Sequence, residues 1–182
     1  MAAMTLKIQL DEKDVSYFRN LHRESRKRAS QESAADILSA GKKLIASVRL
    51  APRRPGFVDE AVTALEDMIQ MVEDEDWALP KAVANDAIAA LAYFSNPEDV
   101  IPDAVPGLGF LDDAIMIKIV EQEFEPELWA YRKFRSFRAG AEQRPWTTIA
   151  KGRLPARLAS YRTELRAKVE EKKRRQQARI TR

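Results

Sequence analysis

The chain has 182 residues, a mass of 20.7 kDa, 45% hydrophobic and 32% charged residues, and a formal net charge of +3. That suits one domain of ordinary size, or one domain with a tail, and excludes wholesale disorder and two full enzyme domains. There is no cysteine, and His22 is the single histidine. Disulfides, thiol nucleophiles, iron–sulfur clusters and multi-histidine zinc sites are therefore excluded, and a Ser-His-Asp triad has one imidazole to build on.

Taken in chain order, Leu6 to Leu10 alternate apolar and polar side chains, a short strand pattern. Asp11 or Asp14 then caps a helix carrying Val15, Phe18, Leu21 and His22 on one face. A second helix starts near Ser30 or Ser33 and turns Ala34, Ile37, Leu38, Leu44, Ile45 and Val48 inward. The Pro52-Arg53-Arg54-Pro55-Gly56 run breaks the chain. A third helix is predicted over about 59–74, with Val62, Leu65, Met68, Ile69 and Val72 inward and Trp77 as a packing anchor beyond its end. Pro80 suits the first turn of a fourth helix, which carries Val83, Ala87, Ile88, Leu91 and Phe94. A loop over 97–109 leads to a fifth helix with Ile115, Met116, Ile119, Val120 and Phe124. Pro126 interrupts, and a sixth helix takes Leu128, Tyr131, Phe134 and Phe137 to Gly140. After a break at Arg144-Pro145-Trp146, the last helix aligns Leu158, Tyr161, Leu165 and Val169 in one narrow stripe from about Pro155 onward.

The expected fold is all-α: one helical domain of six to seven helices over 1–150, at most one short N-terminal strand, and a basic C-terminal helical extension over 151–182. The first residues lack the pattern of a signal peptide, and no window reaches the roughly 18–20 apolar residues of a membrane helix. A cytoplasmic protein of bacterial style, without membrane insertion, is the expectation.

Charge is segregated. Residues 1–50 hold 10 Lys and Arg against 6 Asp and Glu, residues 51–130 hold 4 against 18, and residues 131–182 hold 17 against 4. Either the basic end engages a nucleic acid or an acidic surface, or it folds back over the acidic middle.

One segment, about 80–125, reads as a motif. Prolines at 97, 102 and 106 restrict the backbone, Gly107 and Gly109 free it, and Asp112 and Asp113 fall where a helix begins and oppose its dipole. Val100, Ile101, Val105, Leu108 and Phe110 are available to plug this helix–loop–helix connector into the core. The segment resembles the YkvA family, a bacterial domain of unknown function. Pro97, Asp99, Ile101, Pro102, Asp103, Pro106, Gly107, Gly109, Asp112 and Asp113 match its pattern; the departure is Asn96 between Ser95 and Pro97, either an extra residue or a shifted serine. The resemblance implies the fold and supplies no established reaction. Some relatives carry apolar segments suggestive of membrane association, which this chain lacks.

Function has three readings. The leading one is a non-enzymatic interaction module for a partner protein or a second copy, with no catalytic, cofactor or metal residues. The second is nucleic-acid binding through 131–182; around the start of that region Trp129, Tyr131, Phe134 and Phe137 interleave with Arg132, Lys133, Arg135 and Arg138. At helical spacing that pattern also describes a core face with a charged back. The third is a divalent-metal enzyme at Asp99, Asp103, Asp112 and Asp113, all-oxygen ligands that otherwise cap helices and brace the loop. His22 is read as a surface or satisfied interface residue. A short strand before two helices also resembles ribbon-helix-helix repressors, which insert paired strands into the DNA major groove.

Overall fold

The computed structural model describes residues 9–51, 55–95, 100, 101, 105, 108–143 and 152–180. Within them run seven α-helices: α1 (Glu12–Arg28), α2 (Ala34–Leu50), α3 (Gly56–Glu73), α4 (Lys81–Leu91), α5 (Leu111–Glu123), α6 (Glu125–Glu142) and α7 (Leu154–Ile180). Single 3-10 turns follow α1 and α4, over Ala29–Gln31 and Ala92–Ser95. No strand occurs among the described residues, and the strand expected over 6–10 lies mostly outside them.

The helix starts follow from local chemistry. Asp11 accepts the Lys13 and Asp14 N–H groups at 2.7 and 2.9 Å, while Asp14 accepts the Asp11 N–H at 3.0 Å. Both candidate caps therefore act, as the two halves of one capping box. Ser33 caps α2 by accepting the Asp36 N–H at 3.1 Å. The sequence expectation needs small corrections. Ala34, in the first turn of α2, is exposed rather than inward. Pro80 stands just before α4 as its N-cap residue, and α3 begins at Gly56, one turn earlier than its periodicity suggested. Between α5 and α6, Phe124 leaves the helical region (φ −101°, ψ 18°), and Pro126 begins the new helix where a missing N–H has no partner to lose.

Cross-element pairs fix the helix directions. Lys42 meets Glu73 and Arg49 meets Glu66, so α2 and α3 are antiparallel. Arg132 meets Asp67 and Arg138 meets Asp74, so α3 and α6 are parallel. Tyr161 stacks on Phe137 while Lys172 meets Glu125, so α6 and α7 form an antiparallel pair. His22 meets Ala90 and Arg26 meets Asp86, which sets α1 antiparallel to α4.

α3 is the central element. Its buried residues, among them Val58, Val62, Leu65, Met68 and Met71, point in several directions, because α2, α4, α5 and α6 all pack on it. The closest approach is to α2 at Gly41, where a Cβ atom would stand 2.9 Å from Ile69 Cδ1. Trp77 is 1% exposed and lies against Tyr131 and Phe134, with ring centroids 6.0 and 5.1 Å away. α7 closes this core with Leu158, Leu165 and Val169. A smaller cluster of Phe18, Tyr93 and Met116 joins α1 to α5.

Candidate functional site

The helix–loop–helix segment is organised by Asp112. Its Oδ2 accepts the Val100 and Ile101 N–H groups at 2.8 and 3.1 Å, so the first turn of α5 clasps the loop that precedes it. Asp112 is 2% exposed, and its Oδ1 is buried without a hydrogen-bond partner among the described residues. Asp113 is buried beside it, and Gly109 is buried as well. Pro97, Asp99, Pro102, Asp103, Pro106 and Gly107 lie outside the described residues. Of the four aspartates read as a cluster, two are therefore placed, both at the start of α5. Among the described residues no three His, Asp or Glu side chains approach as a metal-holding group.

One turn of the loop carries a positive φ at Phe110 (φ 65°), a non-glycine. That turn is held by Gly109 N–H to Val105 O at 2.8 Å, Leu111 N–H to Leu108 O at 3.1 Å, and burial of the Phe110 ring. Of the side chains expected to plug the loop into the core, Phe110 does so, whereas Val100 and Leu108 remain 43% and 40% exposed.

The acidic middle and the basic end meet within one molecule. Along α3 and α6, Arg132 and Arg135 both hold the buried Asp67, at 2.6 and 2.7 Å, and Arg138 holds Asp74 at 2.6 Å. Arg132 also reaches Glu121 of α5 at 3.2 Å. From α7, Lys172 meets Glu125 at 3.2 Å, Lys173 meets Glu127, and Lys172 Nζ lies 4.7 Å from the centre of the Trp129 ring. The basic and aromatic interleaving of α6 is thus a core face, with Tyr131 and Phe134 buried, backed by arginines that answer acids of α3.

Asp74 is a hub that periodicity did not single out. It accepts the Asp76 and Trp77 N–H groups, the Tyr131 hydroxyl at 3.1 Å and the Arg138 guanidinium. Burial pushes its carboxyl up, but the Arg138 and Trp77 hydrogen bonds prevail and hold it below its ordinary value. Burial and the neighbouring Asp74 charge push the Tyr131 hydroxyl well above its ordinary range. α7 completes the turn: Arg162 donates to Asp76 O at 2.6 Å, and Arg166 donates to Trp77 O at 2.8 Å and to Ala78 O. Ala78 sits at φ 45°, a strained angle for alanine, and these bonds help to hold it. The signal in the sequence was the Asp-x-x-Trp turn; its partners come from helices far along the chain.

Beside the clasped loop, α1, α3 and α5 enclose an apolar groove of about 260 Å³, walled by Leu10, Val15, Phe57, Ala61, Ile115 and Ile119. Glu60 and Lys118 stand at its margins. Arg132 bridges Asp67 and Glu121 further along α3 and α5, and Arg26 meets Glu123 further along α1 and α5. The three helices thus run in one direction, with their first turns at one end. His22 is buried where α1 meets α4 and α5: Nε2 donates to Ala90 O at 3.2 Å, and Nδ1 lies 3.9 Å from Glu123. It is an interface residue, and burial pulls its imidazole below its ordinary pKa.

The molecule is an all-helical protein whose residues 87–119 match the family described as Protein of unknown function (DUF1232), a segment running from mid-α4 through the clasped loop into α5. More particularly, the chain is 43% identical over 47 residues to the uncharacterized membrane protein YkvA of Bacillus subtilis strain 168. That alignment covers 26% of this chain and 44% of the Bacillus protein, so less than half of the relative is spanned. Together the two matches support a YkvA-like assignment for this segment. No solved structure matches the chain.

Proposed function

We propose that this protein is a non-enzymatic, cytoplasmic interaction module whose groove between α1, α3 and α5 receives a helical segment of a partner protein. One observation carries the reading. The charged side chains of α3, α6 and α7 largely answer one another, while Leu10 and Phe57 stay 36% and 45% exposed over an open apolar groove. An amphipathic helix inserts apolar side chains at successive turns into such a groove. The small floor residues Ala61 and Ala114 admit close approach, and Glu60 on α3 biases its direction.

The other readings draw less support. Arg132, Arg135, Arg138, Lys172 and Lys173 are engaged by carboxylates, which withdraws them from phosphates of a nucleic acid. The metal-dependent reaction needs Asp99 and Asp103, which lie outside the described residues.

The test uses the full chain with labelled isoleucine methyl groups, titrated with amphipathic helical peptides selected against it by display. Saturable shifts of the Ile115 and Ile119 methyls, lost in Phe57→Glu, support the reading. Self-association lost in the same variant would make the partner a second copy. Neither peptide binding nor self-association would overturn it. Placement is tested by cell fractionation. The Bacillus relative carries "membrane protein" in its name, whereas no described helix here is long and apolar enough to cross a membrane. Recovery in the soluble fraction is expected; retention on membranes through a salt wash would overturn a cytoplasmic placement.

A further inference from the structure

Next to the apolar groove, and sharing Ile119 and Gln122 with it, lies an open cleft of about 510 Å³ between α1 and α5. α1 lines it with Arg19, His22, Arg23 and Arg26, and α5 with Gln122 and Glu123. The spacing of 19, 22, 23 and 26 puts these four side chains on one face of α1, within about two helical turns.

The groups in this cleft are not equivalent. Arg26 is fixed, because its guanidinium spans Asp86 of α4 and Glu123 of α5. The Glu123 charge is thereby answered and does not dominate the cleft. Arg23 bonds only Asn20 Oδ1, at 3.0 Å, and neither Arg19 nor Arg23 meets a carboxylate among the described residues. His22 is 6% exposed, and its Nε2 proton is committed to the Ala90 carbonyl. Its Nδ1 faces the α5 side of the cleft, with Glu123 as its charged neighbour at 3.9 Å. The cleft therefore offers one anchored guanidinium, two without a carboxylate partner, the Gln122 amide and a buried imidazole.

We propose that this cleft binds a phosphomonoester group. Planar guanidinium forks match phosphoryl oxygens and can share them two at a time, which a single carboxylate does not exploit as fully. Arg19 and Arg23, without carboxylate partners, supply the contacts to the group, and Arg26, held by Asp86 and Glu123, forms a fixed wall of the cleft. The apolar groove alongside leaves room for a nonpolar remainder of the ligand. The same chemistry could arrive as a soluble phosphate ester or as a phosphomonoester lipid headgroup.

His22 makes the test direct, because it is the single histidine of the chain and its ring resonances need no assignment. The full-length protein is titrated with inorganic phosphate against sodium chloride of matched ionic strength, while the imidazole is followed by long-range proton–nitrogen correlation. A saturable shift is expected with phosphate and not with chloride. An upward move of the His22 pKa is expected too, since a bound anion would join Glu123 and Asp86 in favouring imidazolium against the burial and the Arg26 charge that lower it. Arg19→Gln with Arg23→Gln, both exposed positions, should weaken binding roughly tenfold or more, and Lys43→Gln should not.

Vesicles of phosphatidylcholine with and without phosphatidic acid separate the sources. Co-sedimentation that requires phosphatidic acid and Arg19 and Arg23 assigns a lipid headgroup. Binding of free phosphate without co-sedimentation assigns a soluble ester. Absence of both, or binding that the double variant leaves unchanged, overturns the proposal.

Discussion

Asp112 shows how one side chain can set a loop. A single carboxylate oxygen accepts two consecutive backbone N–H groups, and the charge also faces the positive end of α5. Asp112→Ala removes both acceptor bonds and should cost about 2 kcal/mol in urea unfolding. Asp112→Asn keeps a carbonyl oxygen, loses the charge, and should cost about 1 kcal/mol. His22 makes a prediction about pH. Burial lowers its pKa in the folded protein below the ordinary 6.5, so below that pH the unfolded chain binds more protons than the folded one. Stability should be independent of His22 above its ordinary pKa and fall as pH drops below it, levelling off once the folded imidazole is protonated. Thermal melts of wild type and His22→Gln in phosphate-free buffer check this: the slope between them should vanish on the alkaline side and appear on the acidic side.

At the scale of elements, α3 and α6 are joined by a ladder in which Arg132, Arg135 and Arg138 face Asp67, Gln70 and Asp74. Asp67 is 4% exposed and shared by two arginines, so either arginine alone still answers its charge. Arg132→Ala and Arg135→Ala should each cost about 1 kcal/mol. The double substitution strands a buried carboxylate and should cost about 3–5 kcal/mol, clearly more than the two singles together. A double-mutant cycle by chemical denaturation measures the difference, and simple additivity would mean that solvent reaches Asp67.

At the scale of the molecule, α7 is bound into the fold at both levels, apolar and polar. Leu158, Leu165 and Val169 are buried in the main core, and Arg162 and Arg166 satisfy carbonyl groups of the α3–α4 turn. Removing 152–182 re-exposes about 6 kcal/mol of apolar burial by the usual per-side-chain scale. That is comparable with the whole stability of an ordinary domain. The truncated chain should lose its cooperative thermal transition by circular dichroism and bind a hydrophobic dye. A truncated chain that melts as the full chain does would show instead that α7 is an appendage.

Much of the helical framework was legible in the residues alone. Asp11, Ser33, Pro80 and Pro126 mark helix starts, and the inward stripes of α3 and α7 stand at helical spacing, because capping and periodicity act over a few residues. The start of α5 was legible as well, in the aspartates at 112 and 113 that open it. What lay beyond the sequence depends on how helices approach one another. Two opposite charge blocks were visible, yet whether they met each other or a partner turned on α6 lying parallel to α3. Asp74 gathers partners from α6 and its own turn, His22 is buried because α4 and α5 close over it, and the groove and the arginine cleft exist because α1, α3 and α5 share a direction. Local pattern determined where helices form and which face turns inward. Only tertiary packing decided which charges are neutralised and which side chains are left to meet a ligand, because those outcomes are set by distances between residues far apart in the chain.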